Sequence, residues 1–263
     1  MKKYYKYMFV CLFVLFSFYY TDKVIEMSEY NDVIMDSITS YASRNDYKCR
    51  EGEYKEDGIV LGLSGLSVDK GKSYSNMKGI GFKKELIEYK KDECILSKEN
   101  NYDKYISKGN NYLNNVSIVI DVEDAKYYSK MVKIGENKNV EVNLLMNNEM
   151  LNKNIDNVNN YSNILFKGKK DEVKDFIGSL HNEFYCTNKV EDVLDVCKKH
   201  KLSSINVINY VSKDLLLNTK KILDKGIIIF IKENEFNLSE LSATINYIKS
   251  RGYNIVSIND LLL

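Results

Sequence analysis

Proline and tryptophan are both absent from the 263 residues, and histidine occurs only twice. With Lys, Asn, Ile and Tyr abundant, this bias fits the codon usage of an AT-rich genome better than a structural demand, so the 21 tyrosines carry little functional weight. The missing tryptophan weakens stacking on sugar rings, which tyrosine can still supply. Net charge is lacking as well: 38 Lys and Arg are interleaved with 37 Asp and Glu, for a formal charge of +1. No global field would hold a polyphosphate, and this argues against nucleic acid as a partner. There is no Gly-x-Ser-x-Gly elbow and no glycine-rich loop ending in Gly-Lys-Ser/Thr. The stretch "GLSGLS" has a glycine on only one side of each serine at the required spacing, and "HNE" at His181 lacks the two-turn histidine pair of a zinc protease.

Cysteine occurs five times without a Cys-x-x-Cys pair, which argues against a structural zinc site. Cys11 lies in an apolar run. The other four can be paired as Cys49–Cys94 and Cys186–Cys197 in an oxidising compartment. Buried free thiols are the simpler expectation.

No apolar run reaches the ~20 residues that span a bilayer comfortably. The longest, "MFVCLFVLFSFYY", runs from Met8 to Tyr20 behind a basic "MKKYYKY" and is followed at once by polar sequence. That order marks a targeting segment. No small-x-small cleavage site follows, so the expectation is a retained signal anchor, residues 1–21. Residues 8–20 would lie in the membrane, and Tyr5, Tyr7 and Tyr19 could extend the span at its interfaces. The chain would then be a single-pass cell-membrane protein with its bulk outside the cytoplasm.

What is present, 44% hydrophobic and 29% charged residues, suffices for one large domain and an annex. Residues 22–114 hold scattered glycines, as in "GIVLGLSGLSVDKGKSY" and "MKGIGF", with no long helical period. They read as an irregular annex ending in the linker "KGNNYLNN". From 115 to 263 strands alternate with helices. Apolar strands are expected at Val116–Ile120, Val140–Met146, Asn163–Phe166, Ile205–Ile208, Ile227–Ile231 and Asn254–Ile258. Helical stripes fall at Val173, Phe176, Ile177 and Leu180, at Val190, Val193, Leu194 and Cys197, and at Leu238, Leu241, Ile245 and Ile248. Gly252 is placed to end the last helix. The expected fold is α/β: an incomplete (β/α) barrel of about six parallel strands, with its site at the strands' carboxyl ends.

At one such end, "NVSIVIDVEDAKYY" runs an apolar strand into Asp121, Glu123 and Asp124. An acidic strand end opening a βα domain behind an anchor resembles the polysaccharide deacetylases of the NodB-homology family, carbohydrate esterase family 4. The resemblance covers roughly residues 115–263. It extends to "FYCTNKVEDVLDVCKKHKLSSINVI" and to the ending "DKGIIIFIKENEFNLSELSATINYIKSRGYNIVSINDLL"; the annex looks like the leader domain of anchored members from AT-rich bacteria.

The resemblance implies a divalent ion that activates water, held by an Asp of the first motif and two histidines of a His-x-x-x-His motif. It also implies a second Asp as base, an Arg-Pro segment and a late histidine as acid. Most of these are missing. "NYSNILFKGKKDE" stands at the place of the histidine pair, where Ser162 and Asn163 are weak donors. The arginines are Arg44, Arg50 and Arg251, "EFYCTN" replaces the Arg-Pro segment, and "KENEF" follows the late strand without a histidine. His181 and His200 lie nineteen positions apart.

The expectation is therefore a membrane-anchored, polysaccharide-deacetylase-like pseudoenzyme that holds no cofactor and binds envelope glycan or an envelope protein. Asp121, Glu123 and Asp124 would be vestigial, in a solvated strand-to-helix turn with Asp124 near a helix N-terminus. Both histidines would be ordinary surface residues. One alternative is an active deacetylase of N-acetylated cell-wall polysaccharide, using zinc or another divalent metal on Asp121, Asp124 and His181. The other is a purely structural or interaction module.

Overall fold

The computed structural model describes residues 10–21, 23, 24, 32–124, 126–158, 164–179 and 184–263. Residues 10–21 form helix α1. There follow α2 (Val33–Asn45), β1 (Glu53–Lys55), β2 (Gly58–Val60), β3 (Gly65–Val68), α3 (Lys70–Met77), β4 (Tyr89–Asp92) and β5 (Tyr105–Lys108). Next come β6 (Asn115–Asp121), α4 (Tyr128–Asn137), β7 (Asn143–Met146), α5 (Asn148–Val158), β8 (Ile164–Phe166) and α6 (Val173–Ser179). The rest comprises β9 (Phe184–Thr187), α7 (Leu194–Lys199), β10 (Ser204–Ile205), β11 (Tyr210–Val211), α8 (Leu215–Ile222), β12 (Ile228–Lys232), α9 (Glu235–Ser250), β13 (Asn254–Ile255) and α10 (Ile258–Leu261).

Two units pack separately: Met1–Lys48 with Gly65–Asp92, and Cys49–Ser64 with Glu93–Leu263. In the smaller, β3 and β4 pair antiparallel, and α2 and α3 bury Ile38, Ala42, Tyr74 and Met77 with Val68 and Ile87. Asp32 and Asp69 cap the two helices through backbone N–H groups of Ile34 and Lys72.

The larger unit is built on an eleven-stranded sheet in the order β1-β2-β5-β10-β9-β8-β7-β6-β12-β11, with β13 on β6. Every pairing in it is parallel except β1 with β2, and the sheet curls into a half-barrel. Alternation along each strand explains the two cores. Val116, Ile118, Ile120, Leu144, Phe166, Phe184 and Ile229 face the helices, where Met131, Phe176, Leu241, Ile245 and Ile248 cover them. Val119, Leu145, Leu165, Tyr185, Ile228 and Phe230 fill the opposite face with Ile258 and Leu261 of α10.

Among the described residues of 115–263 there are eight parallel strands where the sequence suggested about six. β9 and β11 were missed because pairing with β8 and β12, not a local apolar pattern, makes these segments strands. β2 and β5 pair into the same sheet, and segments 49–64 and 93–114 belong to the larger unit. α7 begins at Leu194 rather than near Val190, whose side chain is exposed. α9 ends where expected. Gly252 takes φ +81°, and the Tyr253 N–H reaches back to the Ile248 carbonyl. Asn163 and Leu180 lie outside the described residues.

The expectation of free thiols is overturned by two disulfides, Cys49–Cys94 and Cys186–Cys197, with Cα separations of 5.4 and 6.5 Å. Cys186 faces the helix side of β9, where α7 brings Cys197 into the same buried cluster. At the other bridge, a Cβ on Gly62 would fall 2.8 Å from the Cys94 sulfur, so only glycine leaves it room.

The membrane span is not seen. Among the described residues no helix is long and apolar enough to cross a membrane. Met8 and Phe9 lie outside those residues.

Candidate functional site

Strand parity decides which side chains meet at the carboxyl end of the sheet. Asp121 continues the row of Val119, Lys167 that of Leu165, Lys189 that of Tyr185 and Lys232 that of Phe230, so all four lie on the face opposite the helices. Asp121 and Lys232 are register partners on adjacent strands.

Asp121 is buried, and both its oxygens are engaged. The ammonium of Lys167, itself buried, donates to Oδ1 in a close ion pair and to the Val122 carbonyl at 2.8 Å. The Tyr210 hydroxyl donates to Oδ2 at 2.8 Å. Burial, followed by this hydrogen bond and the Asp121 charge, pushes the Tyr210 phenol well above its ordinary pKa. Lys189 lies 3.9 Å from Oδ2, with its ammonium 3.2 Å from the centroid of the Tyr210 ring.

The next residues diverge. Val122 turns into the helix-side core. Glu123 is exposed and pairs with Lys232 at 3.1 Å. Asp124, also exposed, accepts the N–H of Lys126 within its own turn. The N-terminus of α4 is served instead by Glu233, buried just beyond β12. It accepts the N–H groups of Glu123 at 3.0 Å, Tyr127 at 2.5 Å and Tyr128 at 2.8 Å.

A catalytic divalent ion needs several fixed ligands and an open position. The described residues do not provide them. Asp121 faces an ammonium, Val122 offers no donor, and Glu123 and Asp124 point to other partners. His200 ends α7, exposed. His181, Ser162 and Asn163 lie outside the described residues. Among those described, one group of three Cys, His, Asp or Glu residues comes within ligand spacing of one another. It consists of Cys49, Glu51 and Cys94, whose two cysteines are bonded to each other.

Of the sequence candidates among the described residues, Asp121 alone enters the buried constellation. Lys167, Lys189, Tyr210 and Glu233 were missed. Lys167 follows a buried strand on inward parity just as Asp121 does, and that parity was the available signal. Tyr210 was hidden by the brevity of β11.

No family model and no curated protein matches the sequence. Solved structures do. The wild-type BA3943 of Bacillus anthracis, a CE4 family pseudoenzyme, is similar at a TM-score of 0.61 and 17% identity, covering 89% of this chain and 96% of that one. A BA3943 mutant with restored enzymatic activity is similar at the same TM-score and 17% identity, over 88% and 98% of the two chains. Bacillus subtilis PdaA, a family 4 carbohydrate esterase, is similar at 0.53 and 16% identity, over 62% of this chain and 86% of that one. The larger unit therefore has the fold of the family 4 carbohydrate esterases, which is also the fold of a pseudoenzyme of that family.

Proposed function

We propose that the chain is a divergent polysaccharide deacetylase that no longer hydrolyses, held at the cell membrane by residues 8–20 with its bulk outside the cytoplasm, and retained to bind envelope glycan. The observation that carries this reading is the Lys167 ammonium on Asp121. Metal-dependent deacetylation needs a cation that polarises the acetamide and activates water, and a carboxylate free to take the proton. A tethered ammonium answers the charge of Asp121 but offers no vacant coordination position. Tyr210 occupies the other oxygen, so water finds no open base.

The mutant of BA3943 with restored activity supports this view of loss by substitution on an intact fold. The test uses the full chain purified in detergent, with elemental analysis for zinc and an assay of acetate release from N-acetylglucosamine oligomers. The expected result is neither bound metal nor acetate. Stoichiometric metal that disappears on Asp124→Ala, with acetate release lost on Asp121→Asn, would establish the active alternative instead.

A further inference from the structure

Charges of both signs alternate along most of this chain, but between Asp69 and Glu85 they do not. There "KGKSYSNMKGIGFKK" carries five lysines and no acid, more cations than any other acid-free stretch of the sequence. In the smaller unit this stretch forms α3 and the turn after it, and Lys70, Lys72, Lys78, Lys83 and Lys84 are all exposed. Asp69 is spent on the Lys72 N–H in the first turn of α3. The turn is built around one outward residue. Met77 and Phe82 pack with the core of the smaller unit, and the Met77 carbonyl accepts the N–H groups of Ile80 at 2.9 Å and Gly81 at 3.1 Å. Gly79 and Gly81 take φ of +79° and +96° on either side, with open space where a Cβ would stand. Ile80 is left 59% exposed between them, flanked in sequence by Lys78, Lys83 and Lys84.

We propose that this turn docks on an anionic bilayer, with Ile80 entering between the headgroups and the lysines meeting their phosphates. This goes beyond the non-hydrolytic reading and rests on its anchoring by residues 8–20. The tether keeps the contact within reach: from Thr21 of α1 to Val33 of α2 the chain spans at most about 40 Å fully extended. Each lysine near such a surface raises the docked population about fivefold. A neutral bilayer would offer only the burial of one side chain. A soluble acidic polymer would answer the lysines and give Ile80 no apolar phase to enter.

The chain has no tryptophan, so Ile80→Trp gives it a single indole reporter. The full chain carrying it is reconstituted into vesicles of phosphatidylcholine, alone or mixed with phosphatidylglycerol, and flotation of the vesicles reports anchoring separately. In the mixed vesicles the emission should shift to the blue and be quenched by brominated lipid. An indole favours a bilayer interface by itself, so phosphatidylcholine alone and a chain that also carries Lys83→Glu and Lys84→Glu set the baseline. In both the docked fraction should fall by more than about tenfold, and added salt should weaken docking in the mixed vesicles. Val190→Trp, at a 59% exposed position of the larger unit, should keep an aqueous emission throughout. Protein that floats while its indole at position 80 stays aqueous would overturn the inference. So would an equal shift in neutral vesicles, in the charge-reversed chain or in Val190→Trp, or a shift produced by a soluble acidic polysaccharide and not by vesicles. Protein that floats with neither kind of vesicle would sink the anchoring reading and the inference with it, a failure that flotation tells apart from the others.

Discussion

Asp121 and Lys167 form a buried ion pair at the carboxyl end of the sheet. Two opposite charges removed from water gain from each other only while both are present, and stranding one of them is expensive. Lys167→Met should therefore destabilise the larger unit by up to about 3–5 kcal/mol, because it leaves the buried Asp121 carboxylate with the Tyr210 hydroxyl and the Lys189 ammonium 3.9 Å away. Adding Asp121→Asn should recover more than half of that loss, since the amide can still accept from Tyr210 without carrying a charge. Urea unfolding of the two variants and the parent measures this. Equal stability of the parent and Lys167→Met would mean that the pair is not the buried counter-charge described above. The sequence showed the carboxylate and not its partner. An ion pair spanning 46 residues has no local period, and only the fold brings β6 and β8 to the same rim.

At the scale of elements, the longest and most apolar segments were legible. β6, β12 and α9 lie within a residue or a few of where the hydrophobic pattern placed them, since buried parallel strands and a helical stripe leave strong signals. The short strands β9, β10 and β11 were missed or displaced because tertiary pairing, not local pattern, makes them strands. The disulfides belong to this scale too, because Cys186–Cys197 joins β9 to α7 and Cys49–Cys94 joins two connecting segments. The Cys186–Cys197 bridge closes a separation of 11 residues and Cys49–Cys94 one of 45. Loop-closure entropy then gives roughly 3 and 4 kcal/mol respectively. Paired Cys→Ala variants should lower the thermal midpoint in that order, and adding reductant to the parent should lower it further than either pair alone. A midpoint insensitive to reductant would show that neither bridge constrains the unfolded chain.

For the whole molecule the open matter is where it works. α1 presents Phe13, Phe16 and Phe18 at 66–70% exposure, an apolar surface that water disfavours. A targeting segment needs only a short apolar stretch behind a basic flank. "MKKYYKY" is such a basic flank, and in the proposed targeted chain it would set the positive end inside. Full-length protein should therefore appear in the membrane fraction, resist a high-salt wash and dissolve in detergent, with its bulk open to protease added from outside. Leu15→Lys should shift it towards the soluble fraction, because a lysine near the middle of an inserted segment costs about 2.5–3.5 kcal/mol. Full-length protein in the cytosol would refute targeting. A mature form beginning near residue 22 in the medium would refute retention.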